Sequence, residues 1–186
     1  MGYLSFTDLP SLQSGFSQGH STETAVLCVL SDILQAVDCG DSAALILLDL
    51  SAAFDMVDRA ILLQRLQTTF GIDDSAHRWL QSYLSGWHQY VRRGSTRSTI
   101  VYLICGVPWG SVLGLVLFVL YTVELIWLIE RHGLSPHLYA DDTKVYGSCP
   151  PAVVGAFSSQ VTKCIDAIAT WMKLNRLQLN PDNTEV

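Results

Sequence analysis

Apolar residues recur at helical spacing from Ala25 through Val26, Val29, Leu30, Ile33 and Leu34 to Val37. Ser21 and Thr22 stand before this run as N-cap residues and Gly40 ends it, which predicts a first helix. The period is then lost. "AALILLDL", residues 43–50, is a continuous apolar run of strand length, as expected of a central strand covered on both faces. Asp58 can cap a second helix that runs through Ile61, Leu62, Leu66 and Phe70 to Gly71. "DDSAHRWLQSYLSG" reads as another cap and helix, closed by Gly86. "HQYVRRGSTRSTIVYLI" predicts two strands around a Gly-Ser turn. A glycine-punctuated loop from Gly106 to Gly114 leads into a strongly apolar helix, and "HLYADDTKVYG" reads as strand, acidic tip, strand. Residues 151–175 return to helix, with Val153, Val154, Phe157, Val161, Cys164, Ile165, Ile168, Trp171 and Met172 on one broad face, and "RLQLN" predicts a short last strand. No repeat, low-complexity tract or linker interrupts the series. The pattern predicts an α+β domain, a few strands with helices packed behind them.

The apolar helix raises a question of solvent. "SVLGLVLFVLYTVELIWLI" is 19 residues with one charge, Glu124, and approaches the length of a membrane span. A glutamate past mid-span is costly in lipid, and the flanks carry no strong basic cluster. A buried core helix is therefore expected and no membrane partner; a span at 111–129 is the third-ranked reading. The chain is 49% hydrophobic and 15% charged, against about 25% charged for an average domain, which predicts apolar surface meant for other segments. Net charge is −6, from 17 acids against 11 bases, a balance that counts against a nucleic-acid partner, for which a basic stripe is expected. Cys28, Cys39, Cys105, Cys149 and Cys164 are odd in number, far apart and without a CxxC pair, so they read as reduced thiols of an intracellular protein. The first ten residues lack the features of a signal peptide, and Phe6 breaks a myristoylation pattern.

Three carboxylates change this picture. Asp49 closes the central apolar strand, and Asp141 and Asp142 sit side by side at the tip of the second strand pair. Alone, each reads as a turn or cap residue. If the two segments lie side by side, the three converge, and such a cluster is unfavourable unless divalent cations occupy it. Hard oxygen donors without His or Cys select Mg²⁺ or Mn²⁺. Two such ions suit an in-line phosphoryl displacement.

"LLDLSAAFDMVD", "GVPWGSVLG" and "YADDT", in that order, resemble the central palm motifs of reverse transcriptases, and most closely those of non-long-terminal-repeat (LINE-type) retrotransposons. The resemblance continues through "QSGFSQGHSTETAV", "SYLSGWHQYV" and "WMKLNRLQLNPDNTEV" and so covers nearly the whole chain. It implies a polymerase palm-like antiparallel sheet packed by helices, with part of a fingers subdomain. It also implies one domain over 1–186. In it, about 1–42 and 58–100 supply fingers and palm helices and a hairpin, and 43–57 with 101–186 supply the palm core. Thumb and endonuclease regions are expected to be absent, as in a fragment of a retrotransposon reading frame. By resemblance, Asp49, Asp141 and Asp142 are the catalytic residues and bind two Mg²⁺ (or Mn²⁺) ions, with the Leu50 carbonyl as a further ligand. Phe54 matches the steric gate under the sugar, and Trp109 and Gly110 belong to the loop beneath the nucleotide. Asp55 and Asp58 are expected to be structural. The implied partners are an RNA template, a DNA primer and dNTPs, and the implied compartment is the nucleus.

The sequence departs from the family at positions that face phosphate or nucleotide. Trp109 stands for the glutamine of GVPQGSVLGP and Leu115 for its last proline; Ser17 and Trp87 stand for arginines; Asn183 stands for the lysine of DKTE. Asparagine supplies no proton to a leaving group at neutral pH. The expected protein is thus an RNA-directed DNA polymerase domain that keeps its metal-binding triad and is weakened or inactive in catalysis. A non-catalytic remnant that acts as a binding module is the second reading.

Overall fold

The computed structural model describes residues 22–108 and 110–180, and these fall into two compact units, one within 22–53 and 122–180 and one within 54–121. The predicted mixture of helices and antiparallel strands is found. Ser17, Ser21, Trp109 and Asn183 lie outside the described residues.

The first unit is built on a three-stranded antiparallel sheet. Its strands are β1 (Ser42–Leu48), β6 (Ser135–Tyr139) and β7 (Asp142–Cys149), in the order β1-β7-β6. The continuous apolar run of β1 buries Ile46 and Leu48, and β7 buries Thr143, Val145, Tyr146 and Cys149. Helix α1 (Thr22–Asp38) lies against the sheet, and the last helix, Val154–Leu174, also meets β7. That last helix buries Val161, Cys164, Ile168 and Met172, the spacing of one helical face. Two expectations are corrected here. In α1 only Ala25 and Val29 are buried; Val26, Leu30, Leu34 and Val37 stay exposed, because a helix lying on a sheet covers a narrower stripe than its apolar residues occupy. The segment "RLQLN" makes a single bridge, Leu50↔Leu179, instead of a strand.

A part-buried hydrogen bond joins α1 to the sheet. The Tyr146 hydroxyl donates to Asp32 Oδ2 at 2.8 Å. Burial, and then the hydrogen bond and charge of Asp32, push the phenol up to about 12. A raised folded value means that this stability is fully present below the unfolded value near pH 10 and is lost as pH rises through about 12. Tyr146→Phe is expected to lower stability by about 1–2 kcal/mol in denaturant melts at neutral pH. It should also remove a phenol that titrates well above pH 10 from an ultraviolet pH titration.

The second unit holds α2 (Arg59–Thr68), α3 (Asp74–Leu84) and a hairpin made of β2 (His88–Gln89), β3 (Arg92–Arg93), β4 (Thr96–Arg97) and β5 (Val101–Tyr102). Asp58 caps α2 as predicted, its Oδ1 accepting from the Ala60 and Ile61 amides at 2.9 and 3.1 Å. Gly71, at φ 63, ends the helical run by donating to Gln67 O. Leu62 and Leu66 are buried beside Arg65, whose guanidinium donates to the Tyr121 carbonyl and lies 5.1 Å from the Tyr121 ring centroid.

Helix α4 (Val112–Arg131) is the predicted apolar helix. By length and composition it could cross a membrane, yet 61% of its apolar window is buried inside the protein. Leu117, Phe118, Tyr121, Leu125, Ile126 and Ile129 are almost wholly covered, as expected of a core helix.

Candidate active site

The register of β1 on β7 decides where the carboxylates stand. It pairs Ser42 with Cys149 and ends with Leu48 opposite Thr143. One step further, the same register sets Asp49 opposite Asp142. Both line one open pocket with Leu47, Leu48, Thr143 and Lys144. Asp141 is not drawn into the pocket in the same way. Tyr139 pairs with Asp142, so Ala140 and Asp141 form a two-residue hairpin loop. Asp141 thus stands in the turn beside the pocket, and its charge still bears on the Asp142 carboxyl.

The electrostatics follow from this placement. Desolvation, then the like charge of Asp141, holds the Asp142 carboxyl above the ordinary aspartate range; Asp49 adds to the rise and Lys144 opposes it. Lys144 shares the Asp142 face of β7 by the i, i+2 rule, a signal that the predicted strand already contained but that carboxylate motifs overshadowed.

Asp49 is positioned by a residue that sequence reasoning missed. Asn180 Nδ2 donates to Asp49 Oδ2 at 2.9 Å, and the Asn180 amide donates to the Asp49 carbonyl at 2.9 Å. Only the pairing of 178–180 with 49–51 could reveal this. Ser51 N donates to Gln178 O, so the bonds flank the Leu50–Leu179 pair, and the N–H and carbonyl of buried Leu50 point away from Leu179.

Backbone conformation is costly at both motifs. Ala140 at φ 56 and Ala52 at φ 49 occupy the left-handed region without being glycine. Two-residue hairpin loops usually give such a position to Gly or Asn, and alanine there costs about 1–2 kcal/mol. Strain of this kind concentrates at functional sites.

A divalent ion is what a donor set of hard oxygens would take. Two carboxylates fit: Asp49 and Asp142 lie on adjoining strands at one pocket. The third does not complete a group, for among the described residues no three His, Cys, Asp or Glu side chains gather closely enough to hold an ion.

The second unit contains the other residues singled out by sequence. The Phe54 ring is half-buried and packs on Phe118, with centroids 4.5 Å apart. Gly106, at φ 83, closely approaches a neighbouring backbone: a Cβ there would lie 3.1 Å from the Asp55 Cα. Its amide donates to Val57 O and the Val107 amide to Phe54 O. Arg59 clamps the same loop, donating to the carbonyls of Leu103, Cys105 and Gly106 at 2.7–2.8 Å. Gly110 has φ 80 and open space around it. Ser111 Oγ caps α4 by accepting from the Gly114 amide at 2.9 Å and meets the Tyr83 hydroxyl at 3.0 Å. Trp87, standing for an arginine, donates from its indole to Tyr83 O at 2.5 Å.

A family model described as "Reverse transcriptase (RNA-dependent DNA polymerase)" matches residues 4–186, and the chain belongs to that family. Within it, the chain is a reverse transcriptase domain of the non-long-terminal-repeat, LINE type. It is similar to the "Probable RNA-directed DNA polymerase from transposon BS" of Drosophila melanogaster, 32% identical over 184 residues, 95% of this chain and 20% of that relative. It is also similar to the "RNA-directed DNA polymerase from mobile element jockey" of the same species, 25% identical over 94% of this chain and 19% of the relative. A third relative, the "Probable RNA-directed DNA polymerase from transposon X-element", is 36% identical over 121 residues, 62% of this chain and 13% of the relative. The chain thus spans about a fifth or less of the length of these relatives.

Proposed function

We propose that this chain is the catalytic region of an RNA-directed DNA polymerase, which extends a DNA primer on an RNA template with dNTPs. In this reading residues 43–57 and 101–186 form the palm core, and about 1–42 and 58–100 supply fingers and palm helices and a hairpin. Asp49, Asp141 and Asp142 would hold two Mg²⁺ or Mn²⁺ ions, with the Leu50 carbonyl as a further ligand. Bound there, the ions would activate the attacking hydroxyl and stabilise the leaving oxygen. Asn180 orients the Asp49 carboxylate. Phe54 would bear on the sugar, and the Gly110 loop with Trp109 on the nucleotide. Work on a genomic target would place the protein in the nucleus. The observation that carries the proposal is the register that sets Asp49 opposite Asp142 beside one pocket.

The departures at Ser17, Trp87, Trp109 and Asn183 remove charge or polarity where a polyphosphate is expected, so slow extension is the expected behaviour. The second reading, a domain that binds without catalysing, is favoured by the incomplete gathering of the three carboxylates. The test gives the purified chain an RNA template, a DNA primer, dNTPs and Mg²⁺ or Mn²⁺, and measures Mn²⁺ binding separately by electron paramagnetic resonance. A metal-dependent ladder is expected. Mn²⁺ binding without a ladder establishes the second reading, and folded protein that does neither refutes the metal-site assignment.

A further inference from the structure

The net charge of −6 hides a separation. Residues 54–121 contain six of the 11 bases and four of the 17 acids, and no Asp or Glu occurs from 75 to 123. Three arginines of this region crowd the hairpin tip. Arg92 pairs directly with Arg97, and Arg93 with Thr96, around the Gly94-Ser95 turn. Like charges directly opposite on one face of a strand pair destabilise it. Arg92 Nε donates to Gly94 O at 3.2 Å, and an anion lying across the pair would offset the remaining repulsion.

The rest of the face is aromatic. Strand alternation places His88, Tyr90 and Arg92 on one side of the first arm. The pairing His88↔Tyr102 and Arg92↔Arg97 adds Tyr102 and Arg97 to that side. The contacts agree: the Arg97 guanidinium lies 5.2 Å from the Tyr90 ring centroid, and the His88 and Tyr102 rings are 6.0 Å apart. Tyr90 and Tyr102 are 44% and 70% exposed, and all three arginines are exposed. Between the pairs Gln89↔Val101 and Arg92↔Arg97 the first arm advances three residues and the second four. This extra residue is a bulge, which twists the ribbon and turns its tip.

From these observations we infer that the 88–102 hairpin face is a docking surface for single-stranded nucleic acid. Arg92 and Arg97 take backbone phosphates, and Tyr90 and Tyr102 stack unpaired bases. A polyanion relieves the opposed guanidinium groups, and exposed rings alternating with cations are what unpaired bases on a phosphate chain require. The inference extends the polymerase reading to a surface outside the carboxylate pocket and rests on it for the class of partner only.

The experiment is fluorescence anisotropy of the full chain with a labelled single-stranded oligonucleotide, as RNA and as DNA, across a salt series without divalent metal. Arg92→Ala/Arg97→Ala is expected to weaken binding about tenfold at low salt and to reduce the slope of log affinity against log salt by about 1.4, at about 0.7 per phosphate contact. Tyr90→Leu/Tyr102→Leu should weaken single-strand binding about tenfold or more while changing the slope little. Arg93→Ala, on the opposite face, should lose less than either. Removing an opposed like charge should leave the thermal melt unchanged or raised, so lost binding is not lost folding. Unchanged affinity and slope in the arginine variant would overturn the inference. So would binding of phosphatidylserine vesicles with none of the oligonucleotide. If the parent fails to bind Mn²⁺ while the hairpin still binds the strand, the catalytic proposal fails and this one stands.

Discussion

Asp142→Asn is expected to remove divalent-cation binding and, with it, primer extension. Asp142 is the carboxylate on which like charges converge: Asp49 opposite it across the strand pair, and Asp141 before it in the loop. Its raised carboxyl reflects desolvation first, and then the like charges of Asp141 and Asp49. Even outer-shell partners of a metal site alter affinity by about 10–100-fold, so losing a direct ligand should exceed about 100-fold in Mn²⁺ affinity. Any extension ladder should fall by at least about 10³-fold. The same substitution should have the opposite sign on metal-free stability. A folded value raised above 3.8 means that the ionised carboxylate is less favourable in the folded chain than in the unfolded one. That cost is fully present above the raised folded value and disappears as pH falls to the unfolded value. The Asp142→Asn variant should therefore melt slightly higher than the parent at neutral pH without metal, and saturating Mn²⁺ should stabilise the parent alone. Mn²⁺ affinity of the parent should begin to fall at a pH above the ordinary aspartate range, because protons compete there. A variant that keeps Mn²⁺ affinity, or melts lower without metal, would sink the assignment.

Gly106→Ala is expected to have the largest effect on folding among the positions discussed. Two costs combine. Alanine at φ 83 pays for the left-handed region, about 1–2 kcal/mol. Its Cβ also meets backbone, the Asp55 Cα and carbonyl at 3.1 Å and the Phe54 carbonyl at 3.2 Å, and overpacking of this kind costs about 1–3 kcal/mol. The loop cannot move away freely, since Arg59 holds three of its carbonyls and the Gly106 and Val107 amides are bonded to Val57 and Phe54. A loss of about 2–5 kcal/mol follows, at about 2–4 °C in Tm per kcal/mol for a chain of this size. Gly110→Ala is the control. Gly110 has a similar φ of 80 and nothing within 4 Å, so only the conformational cost applies. Equal melting shifts for the two variants would show that close approach contributes nothing.

Local rules account for what was legible in the sequence. Helical spacing located α2 and α3, and the cap at Asp58 and the stop at Gly71 were readable because they depend on neighbouring residues only. The apolar run of β1 and the strand–tip–strand form of "HLYADDTKVYG" were readable for the same reason, and ordered motifs identified the family. Exposure was less legible. Val26, Leu30, Leu34 and Val37 fit the helical period of α1 and yet face outward, because periodicity defines a stripe and only the opposing layer decides its width.

Tertiary structure decided what depends on distant partners. Antiparallel pairing of residues 42–48 with 143–149 sets Asp49 against Asp142, and a slip of one residue would turn every side chain to the other face. The same strand geometry sends Asp141 into the loop, so adjacency in "DD" does not become adjacency at the pocket. Asn180 reaches Asp49 across 131 positions of chain. The sequence showed a weak basic character and argued against a nucleic-acid partner. Folding gathers Arg92 and Arg97 with Tyr90 and Tyr102 on one ribbon face, because a hairpin register converts spacing along the chain into opposition across it. Composition and local pattern determined the elements and the family; pairing register determined which charges meet.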